Sequence, residues 1–116
     1  MSKFKQIHTF EKRKSEHERI NIKYKDRIPI IVEINAQNKQ ELNLDKYKYL
    51  VPRDLTLGQF LCVIRKRVNI EPAKALFIFF NNSLSPTSDT MGNIYNNNKD
   101  IDGFLYAIIS LESTFG

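Results

Sequence analysis

The sequence predicts a single α+β domain, a small sheet with one amphipathic helix crossing it. Three observations predict this class. Four short runs rich in β-branched and aromatic residues (27–34, 46–52, 76–81 and 104–111) are separated by polar or turn-forming segments. Between the second and third runs, apolar residues recur at helical spacing behind a strong start signal. The chain has 116 residues, of which 41% are hydrophobic and 27% charged, enough for one core and too few for two. Two adjacent strands, a crossing helix and later strands returning to the sheet describe a sheet covered on one face.

The elements follow in order. Residues 10–24 read as an amphipathic helix, with Phe10, Arg13, His17, Ile20 and Tyr24 on one face, Thr9 as N-cap and Glu11 in the first turn. Residues 3–8 allow a further helical turn. Arg27–Ile34 (RIPIIVEI) is a strand, in which Pro29 removes a ladder donor. Residues 35–43 form a polar loop, and 46–52 (KYKYLVP) a second strand stopped by Pro52. Thr56 and Gln59 form a capping box and Leu55 with Phe60 a hydrophobic staple; Leu57, Phe60, Leu61, Ile64 and Val68 then trace one apolar face. Leu76, Ile78 and Phe80 alternate with Phe77 and Phe79 in the third strand. A short helix is expected over 89–95, a loop over 96–103, a strand over 104–111 and a polar tail over 112–116.

Composition excludes several classes. No apolar run approaches the ~18 residues that span a bilayer, and the first residues lack the apolar stretch of a signal peptide. The expectation is a cytoplasmic protein. Cys62, the single cysteine, closes no intrachain disulfide and has no positioned base; His8 and His17 lack metal-ligand spacing. No phosphate loop or pair of catalytic carboxylates is present, so neither a cofactor nor a metal is expected. The chain reads as something other than an enzyme.

The net charge of +5 is unevenly placed. Residues 1–27 hold nine basic groups against four acidic ones, and Lys46, Lys48, Arg53, Arg65, Lys66 and Arg67 form a second cluster facing only Asp54. Such a map predicts an acidic partner: nucleic acid, anionic lipid or acidic peptide. Tyr47, Tyr49, Phe77 and Phe79 would serve base stacking in the first case, although no RNA-binding signature accompanies them.

Eight segments in register resemble the autophagy ubiquitin-like modifiers of the GABA-receptor-associated-protein type. They are FEKRKSEHERI (10–20), RIP (27–29), KYLVPRD (48–54), LGQF (57–60), IRKR (64–67), ALFIFF (75–80), KDIDGFLY (99–106) and TFG (114–116). The resemblance implies a ubiquitin-like β-grasp core over 27–111, an N-terminal helical extension over 1–26 packed on it, and a flexible C-terminal conjugation tail over 112–116. It also implies a function. Gly116 would be activated, passed as a thioester between an activating and a conjugating enzyme, and joined to phosphatidylethanolamine. A processing and delipidating cysteine protease, cargo receptors with short linear motifs and phosphatidylethanolamine membranes would be its other partners, and nucleic acid would not. The protein would then divide between the cytoplasm and the autophagosome or vesicle membrane. A terminal residue without Cβ suits a narrow catalytic cleft; whether Gly116 is encoded last or exposed by trimming stays open.

The family grips peptides that carry an aromatic residue and, three positions later, an aliphatic one, on the edge of its second strand. By residue-by-residue match, Glu16, Ile20, Pro29, Ile31, Lys48, Leu50 and Phe104 would form the aromatic pocket. Tyr49, Val51, Pro52, Leu55, Phe60 and Val63 would form the aliphatic one. Arg27, Lys46 and Arg67 would meet acidic residues flanking the peptide. Phe77 and Phe79 would offer a second partner surface, with ordinary core packing as the competing role. A peptide-binding adaptor of the same fold that is never lipidated is the alternative.

Overall fold

The computed structural model describes residues 2–113. Two N-terminal helices, α1 (Lys3–Ile7) and α2 (Phe10–Lys23), precede β1 (Arg27–Ile34). Then come a 3-10 turn (Ala36–Asn38), β2 (Lys48–Pro52), α3 (Leu57–Arg67), β3 (Phe77–Phe79), α4 (Met91–Asn98) and β4 (Leu105–Ser110). The strands form one sheet in the order β2-β1-β4-β3. β1 runs antiparallel to β2 and parallel to β4, while β3 runs antiparallel to β4.

The expected starts are largely where local chemistry puts them. Thr56 accepts from Gln59 N–H at 3.2 Å while the Gln59 side chain accepts from Thr56 N–H at 3.0 Å, closing the capping box. Thr9 caps α2 by accepting from Lys12 N–H. One face of α3 (Leu57, Phe60 and Ile64) is buried against Ile28, Ile30 and Val32 of β1 and Leu76, Ile78 and Phe80 around β3. Burying these side chains drives the domain's collapse, at ~1.5–3 kcal/mol for each fully covered aliphatic or aromatic residue.

Three expectations need correction. The sheet is covered on both faces, not one. Phe4 of α1, Ile31 of β1 and Phe104 form a second cluster on the far side, with Ile20 of α2 and Tyr106 packed against it. Hence β1 is buried without interruption from Ile28 to Val32, the signature of a central strand sandwiched between layers. The helix expected over 89–95 instead starts behind the Thr90 cap and continues through Asn98. Asparagine is a poor helix former, but the Asn98 side chain bonds back to Ile94 O and also meets the Asn81 amide, so tertiary contacts outweigh propensity. Finally, the loop over 35–43 is not a free polar excursion: Asn38 and Leu42 are buried in it.

Candidate functional site

The site begins with an unpaired strand edge. β2 is an outer strand whose only strand neighbour among the described residues is β1. Its register pairs Ile30 with Tyr49 and Ile28 with Val51, and Val32 N–H donates to Tyr47 O opposite it. Antiparallel neighbours alternate between residues that exchange both backbone bonds and residues that do not. Residues 47, 49 and 51 therefore turn their main-chain groups toward β1, and Lys48 and Leu50 turn theirs outward. An extended peptide alongside would find these donors and acceptors free, until Pro52, which has no N–H to offer. Pro29 falls on the other parity. Its missing N–H lies on the β4 side of β1, one residue before that pairing starts at Ile30.

Beside this edge lies a cavity of about 140 Å³ lined by Ile20, Pro29, Ile30, Lys46, Lys48, Tyr49, Leu50 and Phe104. An apolar cavity of ~150 Å³ accepts a benzene ring, so one aromatic side chain is the scale of ligand that fits. The period of two puts Lys48 and Leu50 on the cavity side and Tyr49 and Val51 on the core side. Glu16 stands at the rim, where its carboxylate pairs with Lys48 Nζ at 2.5 Å. A larger depression of about 410 Å³ lies along the polar outer face of α2, between His8 and Arg19. Charged and polar residues, among them Glu11, Lys12, Ser15 and Glu16, line it, and no residue of β2 does.

Of the seven residues matched to an aromatic pocket, Ile20, Pro29, Lys48, Leu50 and Phe104 line the cavity, and Glu16 joins through its ion pair. Ile31 is fully buried beneath it, in the cluster with Phe4 and Phe104. The second set divides differently. Tyr49 and Phe60 are core side chains, their rings packed edge to face with centroids 5.6 Å apart, and Val51 is buried in the same core. Pro52 and Val63 are exposed and Leu55 half-buried, so these three supply the surface there. Arg27 and Lys46 are exposed; Arg67 approaches Asp45 at 3.9 Å, an open surface pair worth little on its own. Phe77 is half-buried and Phe79 buried. Gly116 lies outside the described residues.

Sequence reasoning missed what holds the far wall of the cavity in place. α2 contributes Ile20, and α2 is bolted to the core by Arg13, whose Nη1 meets the Asp102 carboxylate at 2.5 Å. The Asp102 side chain is completely buried and also accepts from Tyr106 Oη and Phe104 N–H. Burial and the Asp102 hydrogen bond both push the Tyr106 phenol up, so it stays a donor. Asp100 pairs with Lys5 of α1 at 2.6 Å and accepts from Asp102 N–H. Burial alone would raise the Asp100 carboxyl, but Lys5, that N–H and Arg13 outweigh it and hold it below its ordinary range.

Gly103 makes this close approach possible. Its φ is +98°, and a Cβ there would lie 2.2 Å from His17 Nδ1. Tyr95 Oη donates to Gly103 O at 2.7 Å and stands 3.4 Å from His17 Nε2. Burial lowers the His17 imidazole below its usual value, with Asp102 and Glu18 opposing the shift. The segment KDIDG thus latches both N-terminal helices, a role with no periodic signature.

An N-terminal helical layer latched over a mixed four-stranded sheet, with one apolar cavity at its open edge, has close counterparts. Residues 12–116 match the family described as "Autophagy protein Atg8 ubiquitin like". Autophagy-related protein 8 of Emericella nidulans is 56% identical over 115 residues, covering 99% of this chain and 97% of that one. The chain belongs to the Atg8 family. Its counterpart in Neurospora crassa is likewise 56% identical, over 99% of this chain and 94% of its own length. The crystal structure of Trypanosoma brucei ATG8 superposes with a TM-score of 0.88 at 46% identity, covering 100% of this chain and 99% of that one. Plasmodium falciparum Atg8 in complex with a Plasmodium falciparum Atg3 peptide gives 0.87 at 29% identity, covering 99% and 100%. The fold is therefore the ubiquitin-like α+β fold with N-terminal helices, and the chain is a ubiquitin-like modifier of autophagy. No described helix is long and apolar enough to cross a membrane.

Proposed function

We propose that this modifier is joined through Gly116 to the amine of phosphatidylethanolamine, and that the anchored form captures short aromatic-x-x-aliphatic peptides along the β2 edge. The observation that carries the peptide reading is the juxtaposition of outward-facing Lys48 and Leu50 with a ring-sized apolar cavity. Backbone pairing supplies affinity, the cavity selects the aromatic residue, and Lys46, Lys48 and Arg27 favour acidic flanks. Leu55, Pro52 and Val63 are the surface left to receive the aliphatic residue. The Atg3 peptide held by the Plasmodium relative supports counting a conjugating enzyme among the peptide partners of this chain.

The conjugation reading makes the protein a substrate. An activating enzyme spends ATP to make the Gly116 acyl-adenylate, a cysteine thiolate displaces AMP, and a conjugating-enzyme thiolate takes over the acyl group. The lipid amine then displaces that thiolate to leave an amide. A cysteine protease would trim precursors and hydrolyse that amide. Cargo receptors would bind the membrane-anchored form, so the protein would be found both in the cytoplasm and on autophagosome or vesicle membranes. A two-chain lipid holds far more firmly than a single myristoyl group.

Reconstitution with the two enzymes, ATP and phosphatidylethanolamine vesicles, read by intact mass, tests the proposal. The expected product is one lipid adduct located at Gly116; an unmodified mass after complete enzyme charging would overturn it. Membrane recruitment that survives deletion of Gly116 would favour the unlipidated adaptor. Peptide titration completes the test, because docking in an apolar cavity resists added salt, whereas phosphate-backbone binding falls by orders of magnitude between ~50 and ~200 mM.

A further inference from the structure

Where the last strand ends, the chain is held by a buried polar clasp that the peptide edge does not use. Asn38, 2% exposed, sits on the 3-10 turn after β1, and Ser110, the last residue of β4, is 0% exposed. Asn38 Oδ1 accepts from Ser110 Oγ–H at 3.1 Å and from Leu111 N–H at 3.0 Å, while its Nδ2 donates to Glu41 Oε2 at 3.1 Å. Ser110 Oγ accepts in turn from Asn35 Nδ2 at 3.3 Å and from Glu112 N–H at 3.1 Å. Asn35 N–H closes the ring on Ile109 O at 2.9 Å. Burying an amide and a hydroxyl costs free energy unless every group is bonded, and an apolar pair would fill the same space more simply. Here the bonds converge on the backbone of Leu111 and Glu112, at the exit of the chain.

We propose that this clasp, with Asn38 at its centre, is the positioning device of the C-terminal transfer reaction: it fixes the point and direction in which the chain leaves the domain. The inference rests on the reading that Gly116 is conjugated. In the final step the lipid amine nitrogen attacks the Gly116 thioester carbonyl carbon. A C–N bond forms, the C–S bond breaks, and the departing cysteine thiolate gains the proton that the amine gives up. Asn38 touches none of these atoms. It acts through the root of a short tether, because the four residues that follow Glu112 reach at most ~14 Å. When such a tether is drawn out straight, a swing of ~20° at its root displaces its end by about 5 Å. Misplacement of a reacting group by ~1 Å already costs up to ~100-fold in rate.

Single-turnover transfer with the activating enzyme, the conjugating enzyme, ATP and phosphatidylethanolamine vesicles tests the assignment on the full chain. Asn38→Ala is expected to lower the saturating transfer rate constant at least ~10-fold with little change in the half-saturating concentration of charged conjugating enzyme. Amide exchange at Leu111 and Glu112 should accelerate while peptide affinity at the β2 edge stays within about twofold of the parent. Asn38→Asp combined with Glu41→Gln keeps an acceptor for Ser110 and Leu111, exchanges the donor and acceptor between residues 38 and 41, and should restore the rate. Ser110→Ala, which cuts the clasp from the other side, is the second variant should Asn38→Ala not fold. Wild-type transfer rates in Asn38→Ala or Ser110→Ala with Leu111 exchange accelerated would overturn the clasp. Rates that follow global stability and are not restored by the paired substitution would overturn it too. An unmodified wild-type chain would instead overturn the conjugation reading, and the clasp's role with it.

Discussion

Asp102→Asn is the sharpest probe of how the N-terminal layer is held. The Asp102 side chain is completely buried, and that of Arg13 is 11% exposed. Removing one member of a buried pair leaves the other uncompensated, which costs ~3–5 kcal/mol. Two features put the present case at the low end of that range. Asparagine keeps an oxygen for Phe104 N–H, and the freed guanidinium is close enough to the surface to turn toward water. The expected loss is therefore about 3 kcal/mol, or roughly 12 °C in Tm for a domain of this size. Urea unfolding of Asp102→Asn, Arg13→Met and the double variant isolates the pair, with a coupling energy of at least ~1 kcal/mol expected. Ile20 follows Arg13 on the same helix by seven residues, two turns or ~10 Å, and so shares its face. Peptide affinity at the β2 edge should accordingly fall about threefold or more in Asp102→Asn, although that residue lines no part of the cavity. Unchanged Tm, zero coupling and unchanged peptide affinity together would refute the latch.

Three further outcomes follow from the geometry. Leu50→Ala should weaken peptide binding by ~1–2 kcal/mol in isothermal titration and leave the unfolding midpoint near wild type, whereas Tyr49→Ala, which removes the partner of Phe60, should cost ~3–5 kcal/mol of stability. Gly103→Ala should destabilise by ~1–3 kcal/mol through its positive φ and more through the clash with His17; in a His17→Ala background the clash vanishes and only the backbone cost remains in calorimetry. The lowered His17 value means the unfolded chain binds a proton more readily than the folded one, so stability should be full above pH ~6.5 and fall as pH drops through and below it. Asp100, also held low, adds a loss in the same direction as pH falls below ~4. Thermal unfolding from pH 7.5 to 5 should show the first slope, and His17→Gln should flatten it.

How much was legible depended on the range of the interaction. The capping box at Thr56 lies within four residues, and the alternation of Leu76, Ile78 and Phe80 within five, so composition and spacing were sufficient for both. The shared face of Lys48 and Leu50 followed from the same period of two, whereas the use of β2 as an edge came only with the family resemblance. Long-range polar pairing left no such trace. Arg13 and Asp102 stand 89 residues apart, and nothing near either announces the other. Ile31 was the one local sign of the second covered face, since it interrupts alternation in RIPIIVEI where a one-sided strand would place a polar residue. Asn38 in a polar loop resembled its exposed neighbours, and only the fold reveals that its amide is consumed by the last strand.

The central pair of strands also constrains how the molecule is made. β1 finds its parallel neighbour in β4, the last of the described strands, so the sheet has no middle until the chain has been synthesised past Ser110. Closing that loop of roughly 70 residues carries an entropic cost near 4 kcal/mol before any pairing repays it. Non-local pairing of this kind slows folding relative to helical bundles of equal length. A nascent chain thus leaves the ribosome with the β4-facing edge of β1 unpaired, an open strand edge exposed to wrong pairing until β4 docks.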